Sequence, residues 1–212
     1  MFRVKICGIT NWADAQRSIE AGCDALGFNF YPRSPRYVTP QAAAAIRSRL
    51  PKEIVAVGVF VNATPQEIQE VAEALHLHYA QLHGEEAPAA ARAVGRATPV
   101  IKAFRVGPRF RDARLARYPA AAFLLDGAPP NGKLRGGAGK AFDWKLVRHL
   151  AGYGPIVLAG GLTAENVAQA IRTAHPAAVD VASGVESAPG KKDPRKLRAF
   201  LDAVAGAREA FR

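Results

Sequence analysis

Two side chains in this sequence have the chemistry to move protons and sit where a strand should end. Cys7 closes the run Val4-Lys5-Ile6-Cys7, in which Val4 and Ile6 are β-branched, and Gly8 then breaks the run. Thr10 follows in the position of a helix cap, so the stretch reads as a short buried strand turning into a helix. In a parallel sheet, the last strand position presents its side chain to a ligand rather than to the core. A thiol there is either a small buried hydrophobe or a reactive group. Asp126 ends a second apolar run, Phe123-Leu124-Leu125, and precedes Gly127. Asp-Gly is a common turn pair. A carboxylate ending a buried strand is nevertheless costly without a purpose, which favours a functional reading of Asp126.

Other residues gather around the same expectation. Arg36, in Ser34-Pro35-Arg36-Tyr37, offers a fork for a carboxylate or serves as a surface arginine in a proline-constrained loop. Gln81 and His83 end a further strand, and His83 is a candidate substrate contact. Asp180 stands between Val179 and Val181, where a buried charge must either pair internally or meet a ligand. Lys5 shares a strand face with Cys7 and should point the same way. His76 and His78 precede the strand carrying Gln81 and read as structural or solvated, not as a metal pair. Cys23 reads as core filler. Two glycine-bearing stretches, Ala159-Gly160-Gly161-Leu162-Thr163 and Ser183-Gly184-Val185, allow backbone N–H groups to approach an anion, or merely make tight turns.

The elements that position these residues recur regularly. Strand-like runs begin near Val4, Ala25, Ile54, Tyr79, Val100, Ala121, Pro155 and Ala178, with helix-patterned segments between them. Thr39-Pro40, Thr64-Pro65 and Asp193-Pro194 each put a capping residue before a proline at the first helical position. Thr64 and Glu67 make a capping box, Thr163 opens another helix, and Gly22 closes the first. Eight strand–helix units predict an α/β fold with a parallel sheet. The count of eight, the length of 212 residues and the lack of a G-x-G-x-x-G turn after the first strand favour a closed barrel. The reading is one domain over residues 1–212, a (β/α)8 TIM barrel with short loops. In such barrels the loops after strands seven and eight frequently hold a phosphate, which makes Gly160, Gly161, Ser183 and Gly184 a candidate phosphate site. The Gly- and Pro-rich interval from Gly127 to Phe142 reads as a cover over the same face.

Composition limits the partners. A net charge of +11 suits nucleic acid, an anionic small substrate, or a solvated surface. The basic residues are scattered, and no aromatic-interleaved basic stripe accompanies them, so no nucleic-acid partner is expected. The longest apolar run, Ile54 to Val61, is strand-sized, so neither a membrane span nor a membrane partner is expected. The N-terminus has no apolar signal core, and two cysteines without a C-x-x-C spacing argue against a disulfide framework or zinc. The expectation is a cytoplasmic protein without a metal or cofactor, monomer or homodimer.

At this point the sequence resembles a known family, the phosphoribosylanthranilate isomerases of tryptophan biosynthesis. The resemblance runs through KICGIT at 5–10, DALGFNFYPRSPRYV at 24–38, QLHG at 81–84 and LLDG at 124–127. It continues through GGAGKAFDW at 136–144, LAGGLTAENV at 158–167 and DVASGVESAPGKKD at 180–193. Ala138 and Ala182 depart from it, standing where the family usually has small hydroxyl residues. The resemblance implies a cofactor-free Amadori rearrangement of N-(5-phosphoribosyl)anthranilate, with Asp126 as the acid and Cys7 as the base. It also implies that Arg36 meets the anthranilate carboxylate and that Asp180 lies near the polar centre of the substrate. An acid must hold its proton, which a dry setting under the 127–142 interval would favour. A free thiol ionises near ~8.5, so Cys7 would need help, expected here from backbone N–H groups of the Gly8–Thr10 turn and from the nearby phosphate-binding dipoles. The alternative is another sugar-phosphate-binding barrel enzyme. An epimerase would want paired carboxylates or metal-binding histidines, and indoleglycerol-phosphate synthase a lysine-based set.

Overall fold

The apolar runs become eight strands: β1 (Val4–Cys7), β2 (Ala25–Asn29), β3 (Val55–Phe60), β4 (Tyr79–Leu82), β5 (Val100–Val106), β6 (Ala122–Gly127), β7 (Ile156–Leu158) and β8 (Ala178–Val181). In the computed structural model, which describes residues 1–107, 110–127 and 144–209, these strands close in sequence order into a parallel barrel. Pairing of β8 back onto β1, with Lys5 opposite Asp180, completes the ring. The expected cover, Gly127 to Phe142, lies outside the described residues except for its first member, Gly127.

The local start signals explain most of the helices. These are α1 (Trp12–Glu20), α2 (Pro40–Arg47), α3 (Pro65–Ala74), α4 (Pro88–Val94), α5 (Val167–Ala174) and α6 (Pro194–Glu209). Thr39 caps α2 by accepting from the Ala42 N–H, and Thr64 with Glu67 forms the reciprocal box on α3. Asp193 Oδ1 accepts from the N–H groups of Arg195 and Lys196 at the start of α6. Gly22, at φ +103°, ends α1. Three expectations need correction. The cap of α1 is Asn11, whose side chain accepts from the Asp14 N–H, because the Thr10 hydroxyl is drawn away to the Gly190 carbonyl. After β5 and β6 the chain winds as 3₁₀ segments, Asp112–Arg117 and Trp144–Tyr153, rather than as α-helices. Thr163 opens a turn, and α5 begins only at Val167.

Alternation along each strand divides the core in two. Outward residues such as Ile6, Phe28, Leu82, Leu125 and Val179 pack beneath the helices in one large apolar cluster. Each such side chain contributes about 1.5–3 kcal/mol when fully buried. Inward residues at the lower end, including Ala25, Val57, Ile101, Leu124 and Val157, fill the barrel itself. Toward the carboxyl ends of the strands the inward positions turn polar: Lys5, Cys7, Gln81, Asp126 and Asp180 are all buried. Among the described residues, no helix is long and apolar enough to cross a membrane.

A small antiparallel hairpin, β9 (Glu186–Ala188) with β10 (Lys191–Lys192), folds back over the mouth between β8 and α6. Glu186 is its anchor. Its carboxylate accepts a two-point fork from Arg36, Nε at 2.8 Å and Nη2 at 2.6 Å, and a third bond from Lys192 Nζ at 2.9 Å. Lys192, wholly buried, also donates to the Cys7 carbonyl at 2.6 Å. Burial opposes ionisation of Glu186, but the Arg36 fork and the Lys192 ammonium outweigh it and hold the carboxyl below its ordinary value. With two cations sharing one carboxylate, burial prevails at Lys192 and draws its ammonium down. Replacing Glu186 by Ala strands both cations and is expected to cost about 3–5 kcal/mol, read from urea unfolding. A carboxyl depressed in the folded state adds stability above its unfolded value and loses it as pH falls through the folded one. The gap between wild type and E186A should therefore narrow on acidification.

Candidate active site

All nine residues expected at a site from the sequence line a single cavity of about 550 Å³ at the carboxyl ends of the strands. Cys7 comes from β1, Arg36 from the loop after β2, and His83 from the residue after β4. Asp126 comes from β6, Gly160 and Gly161 from the loop after β7, and Asp180 from β8. Ser183 and Gly184 follow in the loop after β8. A cavity of this size accommodates a small organic ligand.

Room for the thiol comes from its neighbour. Cys7 is paired in register with Gly27 on β2, and a Cβ at that glycine would lie 2.9 Å from the Cys7 sulfur. Two of the turn amides expected to help are engaged elsewhere: the N–H groups of Gly8 and Ile9 both donate to the Gly27 carbonyl, at 2.9 and 3.0 Å. Burial instead pushes the Cys7 thiol up from its ordinary value, with Asp180 adding to the rise and Lys5 and Lys192 opposing it. Burial, with Asp24 adding to it, drives the Cys23 thiol up to about 12.

Also lining the cavity, Asp126 Oδ2 stands 3.5 Å from His83 Nε2. His83 Nδ1 is 2.7 Å from Gln81 Nε2, so the ring bridges Gln81 and Asp126. Gln81 Oε1 is left buried without a partner among the described residues, although Gln81 lines the cavity. The sequence places Gln81 on this rim but gives no sign of this chain of contacts. The loop after β4 is fixed from below: Lys102 Nζ donates to Leu82 O, Gly84 O and Glu86 Oε2, and Glu86 accepts from the N–H groups of Asn62 and Gly84. Asp180 takes the internal alternative, pairing with Lys5 at 2.6 Å, and it also lines the cavity. Arg36 lines it too, but two of its donors are already committed to Glu186, a partner 150 residues away that the sequence does not reveal.

The glycine loops need their glycines. Gly160 and Gly161 are both at positive φ, +84° and +68°, and Asn166 ties the turn by donating to Gly161 O while accepting from the Thr163 N–H. A Cβ on Gly184 would run into the Leu162 carbonyl, so the two loops meet backbone to backbone.

Against this geometry, a family model described as N-(5'phosphoribosyl)anthranilate (PRA) isomerase matches residues 4–203. The chain belongs to the N-(5'-phosphoribosyl)anthranilate isomerase family. The Myxococcus xanthus enzyme of that name is 52% identical over 208 residues, covering 95% of each chain. The solved phosphoribosyl anthranilate isomerase from Thermotoga maritima is 44% identical with a TM-score of 0.88, covering 97% of this chain and 100% of that one. A further isomerase structure holds reduced 1-(o-carboxyphenylamino)-1-deoxyribulose 5-phosphate. It is 42% identical with a TM-score of 0.86, again covering 97% and 100%. As a member of this family, the protein is a phosphoribosylanthranilate isomerase by activity. Gly184→Ala, which forces the two glycine loops apart, should raise KM for phosphoribosylanthranilate at least about tenfold while changing kcat less, in steady-state kinetics.

Proposed function

We propose that Cys7 and Asp126 carry out the family's rearrangement as base and acid on one sugar held between them. The isomerisation converts the aminoaldose N-(5-phosphoribosyl)anthranilate into the aminoketose 1-(o-carboxyphenylamino)-1-deoxyribulose 5-phosphate. Asp126 gives a proton to the furanose ring oxygen as the C1–O bond breaks, and the nitrogen lone pair forms a protonated imine. The Cys7 thiolate then removes the C2 proton. The C–H electron pair becomes the C1–C2 double bond, and the imine electrons return to nitrogen. Protonation at C1 and loss of the C2 hydroxyl proton give the ketone. Atoms and charge balance across the sequence without a cofactor.

The observation that carries this reading is that the thiol and the carboxyl line one cavity of about 550 Å³ together with the glycine loops of β7 and β8. Gly160, Gly161, Ser183 and Gly184 are assigned to the phosphate, whose charge suits backbone N–H groups. The donors of Arg36 beyond the Glu186 fork are assigned to the anthranilate carboxylate, and His83 and Asp180 to the polar centre of the sugar. The reading places the enzyme in the cytoplasm.

The test follows the fluorescence of phosphoribosylanthranilate as purified protein consumes it. Cys7→Ala and Asp126→Asn should each lower kcat by about 10²–10⁴-fold with a smaller change in KM. Turnover near wild type in either variant removes that residue from the reaction.

A further inference from the structure

Lys5 has no role in the reaction as derived so far, yet its side chain is 0% exposed inside the barrel. Removing an ammonium from water is costly, and an apolar side chain would fill the same space without that cost. Its surroundings suggest what the charge does. Lys5 and Cys7 share the inward face of β1, two residues apart. Lys5 is in register with Asp180 on β8, and its Nζ lies 2.6 Å from Asp180 Oδ1. A Cβ on Gly27 would come within 2.9 Å of the Cys7 sulfur and 3.2 Å of Lys5 Nζ, so sulfur and ammonium converge over the same bare backbone.

The charged groups around the sulfur come from every side. Lys5 approaches from β1, Asp180 from β8, Lys192 from β10 and Arg36 from the loop after β2, while β2 itself presents only Gly27. Arg36 and Lys192 are engaged by Glu186 in the hairpin. Lys5 is paired instead with Asp180, which lines the cavity together with the thiol.

We propose that Lys5 is a positioning residue for the base, a buried counter-ion that Asp180 holds against the Cys7 sulfur so that the thiolate can form inside a desolvated barrel. The proposal deepens the reading of Cys7 as the base and rests on it. Lys5 and Asp180 then act on the thiol in opposite directions. The ammonium favours the thiolate that accepts the C2 proton, and the carboxylate opposes it and shares the ammonium, so that sulfur and lysine do not lock into a permanent ion pair. Both signs match the directions in which these groups bear on the thiol.

The experiment measures the rate of iodoacetamide alkylation of Cys7 against pH, without substrate, in a Cys23→Ser background, alongside the pH profile of kcat/KM. Lys5→Met should move the alkylation midpoint up by about one pH unit or more, and Asp180→Asn should move it down. The rising limb of kcat/KM should follow in Lys5→Met. Lys5→Arg, which keeps the charge, should stay near the wild-type midpoint and serves if the methionine variant does not fold. Midpoints that stay at the wild-type value, or that move the same way in both variants, overturn the proposal, since a merely structural lysine would change the folded fraction without moving the titration. Alkylation midpoints that separate as expected while the kcat/KM limb stays fixed would instead sink Cys7 as the base, and with it the part of Lys5 in the reaction.

Discussion

A closed parallel barrel points every second side chain of each strand inward, and this two-residue period governs what the rest of the molecule does. In the lower barrel the inward positions are held by Ala25, Val57, Ile101, Leu124 and Val157, which pack as a dry plug. One step nearer the mouth the same faces present Lys5, Cys7, Gln81, Asp126 and Asp180. Charges placed on top of an apolar plug cannot be hydrated from below, so each has to find a partner or a ligand. The Lys5–Asp180 pair meets that demand across the β1–β8 seam and in doing so surrounds the thiol with charge.

The hairpin meets the same demand from above. Glu186 gathers Arg36 and Lys192, and Lys192 in turn grips the Cys7 carbonyl at the strand end. The contacts join segments 150 and 185 residues apart, so the mouth is held by the two ends of the chain meeting. Asp14 on α1 adds to the clasp by accepting from the Lys192 N–H. Glycine has the complementary part: at Gly27 and Gly184 the missing side chain leaves room for a thiol and for a neighbouring loop.

Local signals in the sequence were strong where the physics is local. The eight strands run over three to seven residues, and the Thr39, Thr64 and Asp193 caps act within three residues, so periodicity and capping chemistry recover them. The same locality explains the misses. Thr10 looks like a cap, but its hydroxyl is claimed by Gly190, 180 residues on. The Gly8 and Ile9 amides beside Cys7 look free but are taken by the Gly27 carbonyl of the next strand, and cations from β1 and β10 stand near the sulfur. The candidate site residues were readable because each lies near the carboxyl end of a strand or in the loop that follows. The groups that hold them, Glu186, Lys192 and the Lys5–Asp180 pair, form only when strands distant in sequence become neighbours.

The central claim is that a sulfur and a carboxyl group address one sugar from different sides. A crystal structure of this protein with a bound reduced product analogue measures that directly. The account predicts the Cys7 sulfur and an Asp126 oxygen each within about 3.5 Å of the sugar, the sulfur at C2 and the oxygen at the former ring oxygen, with the phosphate on the loops after β7 and β8. A ligand lying in the cavity with either group turned away from those atoms would contradict it.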